Sequence, residues 1–222
     1  MNKLAPIALF LLLFFGGSLW YLANSELNAN VQARIIKVSN YYTDQLLSIE
    51  KVEINLTEGT GKIYGIKLQN NALFQKRYML EVPQLNFAFD AKSVTGKVII
   101  INEITLNDGQ FFIENIEDQA GNRQSNFSQL YQRLNDKISL IQDRRKQKSE
   151  PYIQASNIKI LNSLESYLPL DDDQQKNIPQ RNSYTLNAIG KGEGLPASLF
   201  GIEVLRKTLE TIISTQTAIT TK

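Results

Sequence analysis

VIIINEITLNDGQFFI, residues 98–113, is the stretch on which the fold turns. Val98, Ile100, Ile104 and Leu106 are placed on one face of a strand, and Asn107-Asp108-Gly109 is a strong hairpin signal, so the chain is expected to turn there and return through Phe111 and Ile113. Upstream, Val52, Ile54 and Leu56 alternate with Lys51, Glu53, Asn55 and Thr57, giving a strand with one wet face. Glu58-Gly59-Thr60-Gly61 reads as a turn, after which Tyr64, Ile66 and Leu68 resume the alternation and complete a hairpin. The next run, 78–89, changes parity: Leu80 and Val82 are even, Leu85, Phe87 and Phe89 odd. Pro83 between them predicts a register shift that keeps both halves facing one way.

Outward from these strands the period becomes helical. Leu27, Val31, Ile35, Val38, Tyr42 and Leu46 recur at three- and four-residue steps; this amphipathic helix either continues a preceding helix or lies along the sheet edge. Ser125 or Asn126 caps a second helix through Phe127, Leu130, Leu134, Ile138 and Ile141. A strand is expected over 152–161, a polar loop over 162–181 and a strand at 183–189. Pro196 then suits the first turn of a last helix carrying Ile202, Leu205, Leu209 and Ile212, with a fraying tail at 214–222.

Residues 4–22, LAPIALFLLLFFGGSLWYL, carry no charge and suffice to cross bilayer hydrocarbon. Leu4, Phe10 and Phe14 would lie in the bilayer, Trp20 and Tyr21 in the far headgroup layer, and Lys3 on the cytoplasmic side. Gly16, Gly17 and Ser18 also suit a cleaved signal, which would deliver the body to the same compartment. Hydrophobicity resuming at Leu19 favours retention. The fold expected is α+β: an N-terminal transmembrane helix over 1–23, then, over 24–222, a curved antiparallel β-meander of about 7 strands with amphipathic helices covering an edge or face.

The chain has 24 basic and 22 acidic residues, a balance that points away from nucleic acid. Histidine and cysteine are absent, removing the usual general base, thiolate chemistry and most zinc sites. No cofactor or metal is expected. Asp171-Asp172-Asp173 lacks the spacing of a calcium loop, and Gly59-Thr60-Gly61-Lys62 lacks that of a phosphate loop. Arg144-Arg145-Lys146 and Lys148 read as a solvated helix end, with headgroup contact as the alternative. No enzymatic constellation is present.

VEINL at 52–56, GKIYGIKLQN at 61–70, KSVTGKVIIINEITLNDGQFFIE at 92–114, and Gly121-Asn122 followed by Asn126 to Leu130 succeed one another in an order that resembles the AsmA family of bacterial envelope proteins. The resemblance covers roughly residues 1–141, and Asn70-Asn71-Ala72-Leu73-Phe74 departs from the family's loop after the second strand. It implies a single-pass protein of the bacterial inner membrane with its body in the periplasm, a groove-forming sheet and phospholipid acyl chains as partners. The lipid-binding face would be Val52, Ile54, Leu56, Ile66, Leu68, Leu80, Val82, Leu85, Phe87, Phe89, Val98, Ile100, Ile104, Leu106, Phe111 and Ile113. These side chains serve equally as a closed core beneath the two later helices, in which case the protein is an envelope scaffold that recruits other envelope proteins.

Overall fold

The computed structural model describes residues 26–117, 121, 123–142, 151–168 and 179–220, with side chains described outside 141–142 and 216–220. The expected anchor at 1–23, with Leu4, Phe10, Phe14, Trp20 and Tyr21, lies outside the described residues, as do the basic run at 143–150 and the three aspartates at 171–173. Among the described residues no helix is long and apolar enough to cross a membrane.

Helix α1 (26–43) precedes β1 (Leu47–Ser48), β2 (Lys51–Asn55), β3 (Thr60–Gln69), β4 (Tyr78–Phe89), β5 (Val98–Asn107), β6 (Gln110–Glu117) and β7 (Arg123–Ser125). Helix α2 (Asn126–Gln142) leads to β8 (Tyr152–Ala155), β9 (Ile158–Leu168), β10 (Gln180–Leu186), β11 (Leu195–Pro196) and helix α3 (Ala197–Thr220). The strands form one 11-stranded mixed sheet, which overturns the expected antiparallel meander of about seven strands.

Two departures produce the mixed sheet. The first is that Asn107-Asp108-Gly109 makes no hairpin. Strand β4 pairs antiparallel with β5 and β6 in one unbroken register, Leu85↔Leu106 and Gln84↔Asn107 on one side, Glu81↔Gln110 and Leu80↔Phe111 on the other. β5 and β6 therefore continue in one direction. A two-residue type I′ turn needs positive φ at both central residues, and here Asp108 alone has it, at 53°. The second departure is α2, which carries the chain across so that β8 and β9 run parallel to β5 and β6, with Val98↔Tyr152, Ile104↔Ile158 and Gln110↔Leu164. Parallel neighbours require such a crossover.

The kink at Asp108 belongs to a crease that crosses the sheet. Asn162 in β9 has φ 54° and Gly65 in β3 has φ 59°. Gly65 and Pro83 lie between the pairs Ile66↔Val82 and Tyr64↔Gln84, while Asp108 and Asn162 lie between Asn107↔Leu161 and Gln110↔Leu164. Strand β10 shifts register between Asn182 and Tyr184 along the same line. At the other edge the Glu50 side chain lies over Gly65, so close that an added Cβ would be 2.2 Å from its Cδ. A left-handed residue interrupts the two-residue alternation of a strand, so the buried parity changes across the crease. Ile158 and Ile160 give way to Ser163 and Glu165, and Ile104 gives way to Phe111 and Ile113, all buried. Leu80, Leu85 and Phe87 accordingly pack against one core. No register shift occurs at Pro83; in the β3–β4 ladder the shift falls between Leu68 and Gln69.

A second irregularity, between Ala88 and Phe89, pairs Phe89 with Ile101. Ile101 thus joins Ile104 and Leu106 on the core, which puts Val98 and Ile100 on the other face, contrary to expectation. Leu56 falls in the turn after β2 and is 41% exposed. The long strand extends to Leu168, where a loop was expected from 162, because Asn162 kinks the strand without ending it.

The helices roof the core face. Phe127, Leu130 and Leu134 of α2 and Leu199, Phe200, Ile202, Leu209 and Ile212 of α3 are buried in one cluster with Leu68, Ile104, Phe111, Ile113, Ile158 and Ile160. Ser125 Oγ accepts the Ser128 N–H at 3.0 Å as the α2 cap. Helix α1 lies along the sheet edge, where Ile54 N–H donates to Asn28 Oδ1 at 3.1 Å and Gln32 Nε2 donates to the Ile49 carbonyl at 2.9 Å. Its C-terminal carbonyls meet cations, Lys137 Nζ on Tyr41 O at 2.6 Å and Arg133 Nη1 on Thr43 O at 2.7 Å. Leu46, expected on the apolar helix face, follows the helix and is 59% exposed. Pro196 ends β11 rather than opening α3, and α3 runs on to Thr220 where fraying was expected.

Candidate apolar site and its cleft

One register row of the core face crosses the whole sheet. Ile54 pairs with Gly61, Gly61 with Phe87, Phe87 with Ile104, Ile104 with Ile158 and Ile158 with Leu186. Five inter-strand steps of about 4.8 Å give a row of roughly 24 Å. Glycine at 61 makes the row possible, since an added Cβ would lie 2.1 Å from Phe87 Cζ. The row begins half-buried at Ile54, beside the first turn of α1, and ends at Leu186.

Of the sixteen side chains expected to bind lipid, Leu68, Leu80, Leu85, Phe87, Ile104, Leu106, Phe111 and Ile113 form or pack on the roofed core. Val52, Val82 and Phe89 are also buried, and Ile54 and Ile66 are half-buried. Val98 and Ile100 are half-buried on the reverse face and Leu56 is in a turn. That reverse face is polar: Glu103 binds Lys159 at 2.7 Å, and Glu53 meets Lys51 at 2.5 Å and the Tyr64 hydroxyl at 3.0 Å. Bonding to Lys159 holds the Glu103 carboxyl below its usual range, and bonding to Lys51 and Tyr64 does the same for Glu53.

The roof opens at the β10 edge. A cleft of about 740 Å³ lies between α2, α3 and the chain from Thr185 to Gly190. Its apolar lining comprises Ile138, Leu186, Ala188, Ile189, Leu195 and Leu199, so its floor continues the core row. Its charged lining is Glu203, Arg206, Lys207 and Glu210, all on α3. Arg206 is held by Glu203 through Nη2 at 2.6 Å and Nε at 2.8 Å, with Glu210 at 3.7 Å; Lys207 bonds Glu210 at 2.8 Å. Bonding to Glu203 raises the Arg206 pKa further, and bonding to Lys207 lowers that of Glu210. Asn135, Ser139, Thr185, Asn187, Thr211 and Ser214 add uncharged polar groups, so the lining is mixed, and the volume is that of an ordinary small-molecule site.

Two buried carboxylates fasten the surroundings. Glu165, fully buried, accepts from the Tyr167 hydroxyl at 2.6 Å and the Tyr184 hydroxyl at 2.5 Å. Burial, and then Glu165 itself, push the Tyr184 phenol well above its usual pKa. Glu114 accepts from Asn70 Nδ2 at 2.9 Å and from the backbone N–H groups of Gln75 at 2.8 Å and Lys76 at 2.9 Å, while Asn126 Oδ1 accepts the Glu114 N–H at 3.1 Å. Asn126, a candidate helix cap in the sequence, and Asn70, marked there only within the family resemblance, thus hold the loop after β3 to the start of α2.

Sequence reasoning missed the cleft. The charges at 203, 206, 207 and 210 recur at helical spacing and could have been read as one face of α3. That this face overlooks β10 follows only from the crossover. Among the described residues no cluster of histidine, cysteine, aspartate or glutamate could hold a metal ion. The chain matches no protein-family model and no curated protein.

Proposed function

We propose that this is a membrane-attached envelope protein of AsmA type, with residues 4–22 in the bacterial inner membrane and its body in the periplasm, that binds the acyl part of a phospholipid in the cleft between α2, α3 and β10. The observation that carries this reading is the cleft itself, about 740 Å³ with an apolar floor of Leu186, Ile189, Leu195 and Leu199. Burial of chain methylenes against such a floor contributes about 0.8 kcal/mol each. Attachment is supported by the uncharged run at 4–22, long enough to cross bilayer hydrocarbon.

The test is native mass spectrometry of the full chain released from mild detergent after exposure to phospholipid. A stoichiometric lipid adduct is expected, and Ala188→Trp, which fills the cleft from an exposed lining position, removes it. A lipid-free wild-type chain overturns the reading. It would favour instead a scaffold with a closed core, the alternative suggested by Phe127, Leu134 and Ile212 at 0% exposure.

A further inference from the structure

The charged rim of the cleft has a composition that selects among lipids. Among the described residues its ionisable groups are two carboxylates and two cations, Glu203, Arg206, Lys207 and Glu210, packed within eight positions of one helix. A rim built for an anionic headgroup would carry an excess of cations, as basic lipid-binding clusters do. Here opposite charges are paired along the helix, Arg206 with Glu203 and Glu210, and Lys207 with Glu210.

Resting on the lipid-binding reading above, we infer that the cleft selects a zwitterionic headgroup, a phosphate joined to an ammonium, over an anionic one. The phosphate takes the Lys207 ammonium, whose side chain is 43% exposed, and the ligand's ammonium takes Glu210, 42% exposed. Exposed ion pairs of this kind contribute little, so exchanging an internal partner for a ligand partner of the same sign loses little. Arg206, only 16% exposed and bonded twice to Glu203, stays in place as the fixed end of the rim. It also reaches Tyr131 and Asn135 of α2 at 3.5 Å, which ties the two walls of the cleft together. An anionic lipid offers its phosphate to the same Lys207 but has no ammonium for Glu210, which then loses its partner without a replacement.

The experiment is competition by native mass spectrometry: the full chain in mild detergent with equimolar phosphatidylethanolamine and phosphatidylglycerol of identical acyl chains. The expected result is at least a fivefold excess of the ethanolamine adduct. Glu210→Gln should bring the ratio close to one, whereas Glu103→Gln, on the reverse face of the sheet, should leave it unchanged. Thermal unfolding followed by circular dichroism verifies that each variant is folded. Lipid bound with equal or greater preference for the glycerol headgroup overturns the headgroup inference while leaving lipid binding intact. No adduct of either lipid overturns both.

Discussion

Asp108 and Asn162 stand side by side in parallel strand lines, each at positive φ, 53° and 54°, with Asn162 Nδ2 donating to Asp108 Oδ1. Asparagine and aspartate tolerate this conformation better than other non-glycine residues because their short polar side chains bond locally. Arg181 approaches Asp108 at 4.0 Å, and Ser183 Oγ accepts the Asn162 N–H at 2.9 Å, so the crease is fastened across three strand lines. It lets one continuous sheet keep a single buried face while its strands change parity.

A β-branched residue at the crease should therefore be costly. Asn162→Val is expected to destabilise the chain by about 1–2 kcal/mol, the usual penalty of left-handed backbone with a Cβ substituent, whereas Asn162→Gly should be close to neutral. Urea unfolding of the two variants is the measurement. Equal losses would mean that the side-chain bond, not the backbone conformation, holds the crease.

Gly61 gives way to no side chain while Phe87 is present. Gly61→Ala should lower stability by roughly 1–3 kcal/mol, since its Cβ would meet the Phe87 ring at 2.1 to 2.6 Å. Combining it with Phe87→Leu should recover part of the loss. A double-mutant cycle with no coupling would contradict the contact.

Removing the Glu114 carboxylate strands the donors that it holds. Glu114→Ala should cost about 2 kcal/mol, because hydrogen bonds to a charged group each contribute about 1.5–3 kcal/mol and water reaches the exposed Gln75 and Lys76 to offset part of the loss. Hydrogen exchange at the Gln75 and Lys76 amides should accelerate together, since both bond that one carboxylate. Unchanged exchange at either amide would rule out the latch.

The Glu103–Lys159 pair has a definite sign with pH. Because the folded carboxyl is depressed, its stabilising contribution is present above the ordinary glutamate pKa and is lost as pH falls through the lowered value. In Lys159→Met the Glu103 carboxyl should titrate at higher pH than in the parent chain, as read by carbon NMR of the side-chain carboxyl. A position unmoved by this substitution would mean that Lys159 is not the cause.

What the sequence determined by itself is the set of local periods. The β2–β3 hairpin follows from alternation and a glycine turn, with Gly59 at φ 66°. The α2 and α3 cores follow from helical spacing of Phe127, Leu130, Leu134, Leu209 and Ile212. These patterns are local because side-chain direction repeats with the backbone that carries it. Tertiary structure alone decided which way the chain goes at an ambiguous turn sequence. Asn107-Asp108-Gly109 suits a hairpin as well as a kink, and the kink prevails where β4 on one side and β8–β9 on the other supply ladder partners along its whole length. The same holds for the cleft, whose walls come from residues 135–139, 185–199 and 203–214. No local period encodes that meeting, because it depends on a helix crossing the sheet and returning the chain parallel to a strand more than fifty residues earlier.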